Sequence, residues 1–136
     1  YFFDCGVLRT IQRRVHDPIA NEERGHLLES YVFQELLAYQ SYTQCGGEFS
    51  YWRTADKVEV DFIWQRSKKR VAIEVKASPR WRSEYDHGLV ALTTSSLSPE
   101  RAIGVYLGKE KLKKEWGWVL PLKDFLDELW DNRILG

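Results

Sequence analysis

The sequence predicts an α/β sandwich around a mixed sheet, and three observations carry that prediction. Residues 58–76 alternate as a β-hairpin, residues 21–40 ahead of it carry a helical apolar stripe, and residues 102–107 form a continuous apolar run that fits a buried strand. The expected order is helix, three strands, helix, strand, and then a closing strand and helix.

In chain order, Tyr1-Phe2-Phe3-Asp4 reads as a short strand that Gly6 breaks, and residues 7–14 as a brief helix ended by His16-Asp17-Pro18. Asn21 is the expected N-cap of the longest helix, with Glu22 and Glu23 in its first turn, where the helix dipole favours acids. At about 100° per residue, Leu28, Val32, Phe33, Leu36 and Tyr39 fall in one arc, and Glu29 lies inside it. A carboxylate in an apolar stripe snorkels outward, caps a neighbouring backbone group, or serves a site. Glu35 sits nearer the edge of the arc. Cys45-Gly46-Gly47 turns the chain into a strand over residues 49–54. On that strand Arg53 shares a face with Tyr51 and either meets phosphate or pairs with Glu59.

After Lys76, the loop Ala77-Ser78-Pro79-Arg80-Trp81-Arg82 brackets an aromatic with two arginines. Such a composition suits backbone phosphate and base stacking, and equally an ordinary loop. Ser83-Glu84-Tyr85-Asp86 resembles a capping box that opens a helix through Leu89, Val90 and Leu92, with the lone His87 read as structural. The stretch from Gly104 to Glu110 has the wrong glycine spacing for a phosphate loop, and Glu110 where Ser or Thr is required, so no nucleotide site is expected. Residues 109–114 read as a charged loop or short helix and Trp118-Val119-Leu120 as the last strand. Pro121 then starts a helix striped by Leu122, Phe125, Leu126, Leu129 and Trp130.

The chemistry concentrates on the hairpin. Val58, Val60, Phe62 and Trp64 alternate with Glu59, Asp61, Ile63 and Gln65, while Val71, Ile73 and Val75 alternate with Arg70, Ala72, Glu74 and Lys76. If Arg66 and Lys69 close the turn, counting back along both strands sets Asp61 opposite Glu74 and Glu59 opposite Lys76. Side chains so opposed have Cβ atoms about 5 Å apart, where like charges destabilise a sheet. A hard divalent cation held by both carboxylates, with a lysine two residues along, is one reason for such a pair. A solvated polar face, or a register one step away, are the alternatives.

Asp61 followed by Glu74-Val75-Lys76 resembles the D…(D/E)-X-K signature of restriction-endonuclease-like, PD-(D/E)XK nucleases. Tyr51-Trp52-Arg53-Thr54, Glu59-Val60-Asp61-Phe62 and Ile73-Glu74-Val75-Lys76 are similar, more narrowly, to a domain of unknown function found C-terminal to prokaryotic AAA+ ATPase modules. The opening Tyr1 to Gly6, Leu28-Glu29-Ser30, Glu35-Leu36 and Val119-Leu120-Pro121-Leu122 resemble that family too. The resemblance implies a restriction-endonuclease-like sandwich of core order αβββαβ and hydrolysis of nucleic-acid phosphodiester bonds. It implies a catalytic set of Glu29, Asp61, Glu74 and Lys76. Mg²⁺ or Mn²⁺ would be held by Asp61, Glu74, Glu29 and the carbonyl of Val75. Arg53, Arg80 and Arg82 are candidate substrate contacts on the strand-face and loop-composition readings alone. The implied partners are nucleic acid, DNA ahead of RNA, and a parent ATPase. A catalytically silent module of the same fold, for nucleic-acid binding or protein interaction, is the alternative.

Bulk properties narrow the field. The length of 136 residues suits one domain over residues 1–136 with a sizeable core. An opening Tyr1 and the lack of any methionine read as a fragment of something longer. Twenty basic and twenty acidic residues leave no net charge, which excludes a polybasic binder and leaves any nucleic-acid affinity to a local patch. Cys5 and Cys45 stand far apart and read as reduced thiols, not as a disulfide scaffold or a zinc site. With no signal-peptide pattern and no apolar run near the ~20 residues of a membrane span, a cytoplasmic protein is expected.

Overall fold

Strands with apolar side chains on both faces must be covered on both sides, and the central strands here are of that kind. The computed structural model describes residues 21–135; the strand expected at Tyr1–Asp4 and the helix expected over residues 7–14 lie outside them. Helix α1 (Asn21–Thr43) leads into strands β1 (Glu48–Arg53), β2 (Glu59–Arg66) and β3 (Lys69–Lys76). A 3₁₀ turn (Ser83–Asp86) and helix α2 (His87–Thr93) connect β3 to β4 (Arg101–Tyr106). Strands β5 (Leu112–Lys114) and β6 (Gly117–Pro121) and helix α3 (Leu122–Trp130) follow.

The sheet runs β1-β2-β3-β4-β6-β5. The first three strands are antiparallel neighbours, β4 is parallel to both β3 and β6, and β5 closes the far edge antiparallel to β6. This is a mixed sheet between helices, in the order of a restriction-endonuclease-like core. On one face, Leu28, Val32, Leu36 and Tyr39 of α1 and Phe125 and Leu129 of α3 pack on Val71, Ile73, Val75, Ile103 and Val105. On the other, Leu89 and Leu92 of α2 pack on Val60, Ile63, Ala72 and Ala102. Each large aliphatic side chain so buried contributes about 1.5–3 kcal/mol.

The hairpin closes where the sequence sets it, Arg66 facing Lys69 across Ser67-Lys68, and its register holds back to Phe62 facing Ile73. Two local expectations fail. Residues 112–114 form an edge strand where a loop or helix was expected; Leu112 tucks inward, and Lys113 lies over the Trp118 ring, 5.0 Å from its centroid. Ser83 makes no capping hydrogen bond, and the segment from Ser83 to Asp86 is a 3₁₀ turn ahead of the helix. The Asp86 carboxylate instead accepts a hydrogen bond from the Trp81 indole at 2.7 Å.

Helix α2 approaches the sheet so closely that only glycine fits at residue 88. A Cβ there would meet the Glu59 carbonyl oxygen at 2.0 Å and Glu74 Oε2 at 3.3 Å. Helix propensity alone favours alanine over glycine by about 1 kcal/mol, so two substitutions separate the effects. Gly88→Ala is expected to lower stability by about 1–3 kcal/mol through overpacking. Gly25→Ala on α1, with nothing within 4 Å of the added carbon, is expected to raise it. Urea denaturation of both variants checks this, and a Gly88→Ala protein as stable as the parent would refute the close contact.

Candidate active site

Strand β2 contains one residue more than its neighbour can match. Ser50 faces Ile63 and Trp52 faces Val60, so Tyr51 alone lies opposite both Asp61 and Phe62. This is a β-bulge, and it reverses the phase of the strand. Phe62 and Trp64 enter the core beneath α1, whereas Val60 joins Ile63 beneath α2. The uniform alternation expected from Val58 to Gln65 is therefore broken at Asp61. The expected pairings of Asp61 with Glu74 and of Glu59 with Lys76 are not formed, because the ladder between β2 and β3 ends at Phe62 and Ile73; on its other side Glu59 faces Arg53 of β1 and forms a 3.0 Å ion pair with it.

Beyond Phe62 and Ile73 the ladder between β2 and β3 stops, and Val75 N–H donates to Asp61 Oδ2 at 2.8 Å. The side chain takes over a donor that the interrupted ladder leaves behind. The Asp61 carboxyl group also hydrogen-bonds Glu74. Glu74 is 4% exposed, on the same strand face as Ala72 and beneath Gly88. Burial first, then the hydrogen bond and charge of Asp61, push the Glu74 carboxyl up to about 10; Lys76 opposes the shift and Glu29 adds to it. At neutral pH the Glu74 carboxyl is thus held in its protonated form beside Asp61. Lys76 Nζ stands 3.7 Å from Glu74 Oε1 and lies over the Tyr85 ring, 5.2 Å from its centroid.

Glu29 is half-buried on α1 and lines, with Asp61, an open cleft of about 510 Å³ between that helix and the outer strands. The structure thus brings Glu29, Asp61, Glu74 and Lys76 into one neighbourhood. Among the described residues, no three His, Cys, Asp or Glu side chains converge into a group that could hold a metal ion. Asp61 and Glu74 are in direct contact, and Glu29 acts on Glu74 through its charge.

The remaining candidates are dispersed. Arg53 pairs with Glu59 at the rim of the cleft, Arg82 lies 3.6 Å from Glu84, and Arg80 is exposed on the same loop. Trp81, expected to offer a ring for base stacking, is instead packed against Tyr85, Tyr106 and Trp116, where Gly104 leaves room for its indole. Glu35 accepts a hydrogen bond from the Trp130 indole at 2.9 Å and ties α1 to α3. Tyr51, Tyr85 and Gly88 were not foreseen. A glycine in the predicted helix was the one available signal, since it costs helix stability unless something needs the space.

Fold and site together define the class, an α/β sandwich of restriction-endonuclease-like order with a carboxylate pair and a lysine at the end of its central hairpin. Residues 24–125 match the family described as Domain of unknown function (DUF4143), and the chain belongs to that family. No curated protein matches it. Among the described residues, no helix is long and apolar enough to cross a membrane.

The raised Glu74 carboxyl has a measurable consequence. From the ordinary carboxyl value of 4.5 up to about 10, native Glu74 keeps a proton that the unfolded chain has released. Stability must therefore fall as pH rises through that window, by up to about 1.4 kcal/mol per pH unit. In EDTA the melting temperature is expected to drop between roughly pH 6 and pH 9, and Glu74→Gln to flatten that drop. Parallel slopes for the two proteins would show that Glu74 does not hold the proton.

Proposed function

We propose that this chain is a nuclease-type domain of the PD-(D/E)XK kind, hydrolysing nucleic-acid phosphodiester bonds with a divalent cation, and that it works attached to an AAA+ ATPase module. The observation that carries the reading is the contact between Asp61 and buried Glu74 with Lys76 beside it. The donor chemistry fits Mg²⁺ or Mn²⁺. Mg²⁺ is commonly held by one or two carboxylates with water and substrate phosphate completing its shell, and the adjoining Asp61 and Glu74 supply such a pair of oxygen donors.

Asp61 and Glu74 would hold the ion, with the Val75 carbonyl and Glu29 as further candidates. When bound, the ion lowers the pKa of a water and offsets phosphate charge. To hold the ion, Glu74 would have to release its proton to solvent. Lys76 presents its ammonium to the scissile phosphate or the attacking water and stabilises charge that develops there, while the Tyr85 ring beneath keeps the flexible side chain in place. DNA is the first substrate to test. ATP binding and hydrolysis belong, on this reading, to a module outside the chain.

The ion pairs at Arg53 and Arg82 favour a second reading, since arginines already neutralised by glutamates offer little to a phosphate backbone. On that reading the domain is a catalytically silent module that docks its ATPase or binds nucleic acid without cutting. Incubation with single- and double-stranded DNA and RNA, with Mg²⁺ or Mn²⁺, separates the two. The nuclease reading expects metal-dependent cleavage that Lys76→Ala lowers about a hundredfold to a thousandfold at saturating substrate. Because Lys76 is a strand-end residue with a partly exposed side chain, its folding stability should change by less than about 0.5 kcal/mol. Equal cleavage by parent and variant would remove Lys76 from the mechanism; no cleavage by either would select the silent module.

Metal linkage gives an independent check. A cation that binds only the folded state stabilises it by mass action, so millimolar Mg²⁺ or Mn²⁺ is expected to raise the melting temperature. Asp61→Asn should blunt that rise, while its side-chain carbonyl keeps a partner for the Val75 N–H. A melting temperature indifferent to both ions in the parent protein would contradict the metal site.

A further inference from the structure

We propose that the cleft beside Asp61 seats one unpaired nucleobase, so that the substrate is single-stranded at the point of attack. The proposal rests on the nuclease-fold reading above and adds the strandedness of the substrate. Its floor is aromatic: Phe33 of α1 packs between Phe49 of β1, at 5.8 Å, and Phe62 of β2, at 5.3 Å between ring centroids. Tyr51 forms the outer wall and leaves 74% of its surface exposed. It stands on an edge strand directly opposite the bulge that carries Asp61, so the base seat and the acid pair are set by the same irregularity.

The chemistry of the walls selects a base over other occupants. The volume of about 510 Å³ lies within the range of small-ligand sites, about 300–1,000 Å³. Glu29, Glu59 and Asp61 on the lip repel a second phosphate, yet as acceptors they suit the amino and imino donors of a base edge. Arg53 and His26 on the same rim supply donors for its carbonyl and ring nitrogens. A flat, apolar-faced molecule with a polar edge satisfies both parts of the lining. In a duplex the base faces are already stacked, so only an unpaired base can offer its face to Tyr51 and to the partly buried Phe33 and Phe49 above the core residue Phe62.

The test measures binding without turnover, by fluorescence anisotropy of the whole chain in EDTA, with three labelled probes: single-stranded DNA, the same sequence as duplex, and an abasic sugar-phosphate oligomer. The parent protein is expected to favour the base-bearing single strand over the duplex. Tyr51→Ala should weaken that binding about 5- to 150-fold, the loss of one base–aromatic stack, with no change for the abasic oligomer. Tyr51→Phe, which keeps the ring, should bind like the parent. The exposure of Tyr51 leaves folding intact in both variants. Preference for duplex, unchanged single-strand affinity in Tyr51→Ala, or no binding of any probe would overturn the proposal. Cleavage is decided separately by Lys76→Ala. A chain that cuts but ignores Tyr51 loses only the base seat, and one that binds through Tyr51 but never cuts loses only the catalytic reading.

Discussion

A single unmatched residue in β2 governs the geometry of everything around it. Asp61 and Phe62 share one partner on β1, the ladder to β3 ends at the same place, and Val75 N–H bonds the Asp61 side chain where a backbone acceptor would otherwise stand. Leaving such a buried donor unpaired costs about 1–3 kcal/mol. The Asp61 carboxylate meets it at 2.8 Å, and in doing so is fixed against the strand that carries Glu74. The same insertion turns Val60 toward α2 while Phe62 faces α1, so each helix receives an apolar contact at the very place where the strand irregularity holds the acids.

Glu74 is held where a carboxyl group is costly. It sits beneath a helix that approaches to glycine distance, beside Ala72 and the apolar layer of Leu89 and Leu92. The aromatic group of Trp81, Tyr85, Tyr106 and Trp116 braces the adjoining loop and sets Tyr85 under Lys76. Such packing disfavours the charged form of Glu74, and the loss of folding stability expected with rising pH is its counterpart.

The arginines expected at the substrate behave differently from the acids because their length gives them choices. Arg53 is drawn to Glu59 by the β1–β2 register, and Arg82 to Glu84 within its own loop. Exposed pairs of this kind are worth little, about 0–1 kcal/mol. The cleft beside Asp61 is marked by its shape and aromatic lining more than by a fixed basic patch.

The long elements were legible in the sequence because their signals are periodic and local. Alternation and a two-residue polar turn place the hairpin and its register as far as Phe62 and Ile73, and the spacing of Leu28, Val32, Leu36 and Tyr39 places α1 and its buried stripe. The candidate acids were legible by residue type and by family resemblance. Other features depend on neighbours that no local pattern names. Nothing in Glu59-Val60-Asp61-Phe62 announces a bulge, because the irregularity exists only relative to β1. Trp81 reads as a surface ring until Gly104, on a strand more than twenty residues later, leaves room for it. Edge strand β5 is too short and too charged to carry a period. The sequence by itself determined which residues can do chemistry and which faces must be buried; tertiary structure decided which of them meet, because hydrogen-bond partners, burial and steric room are properties of pairs distant in the chain.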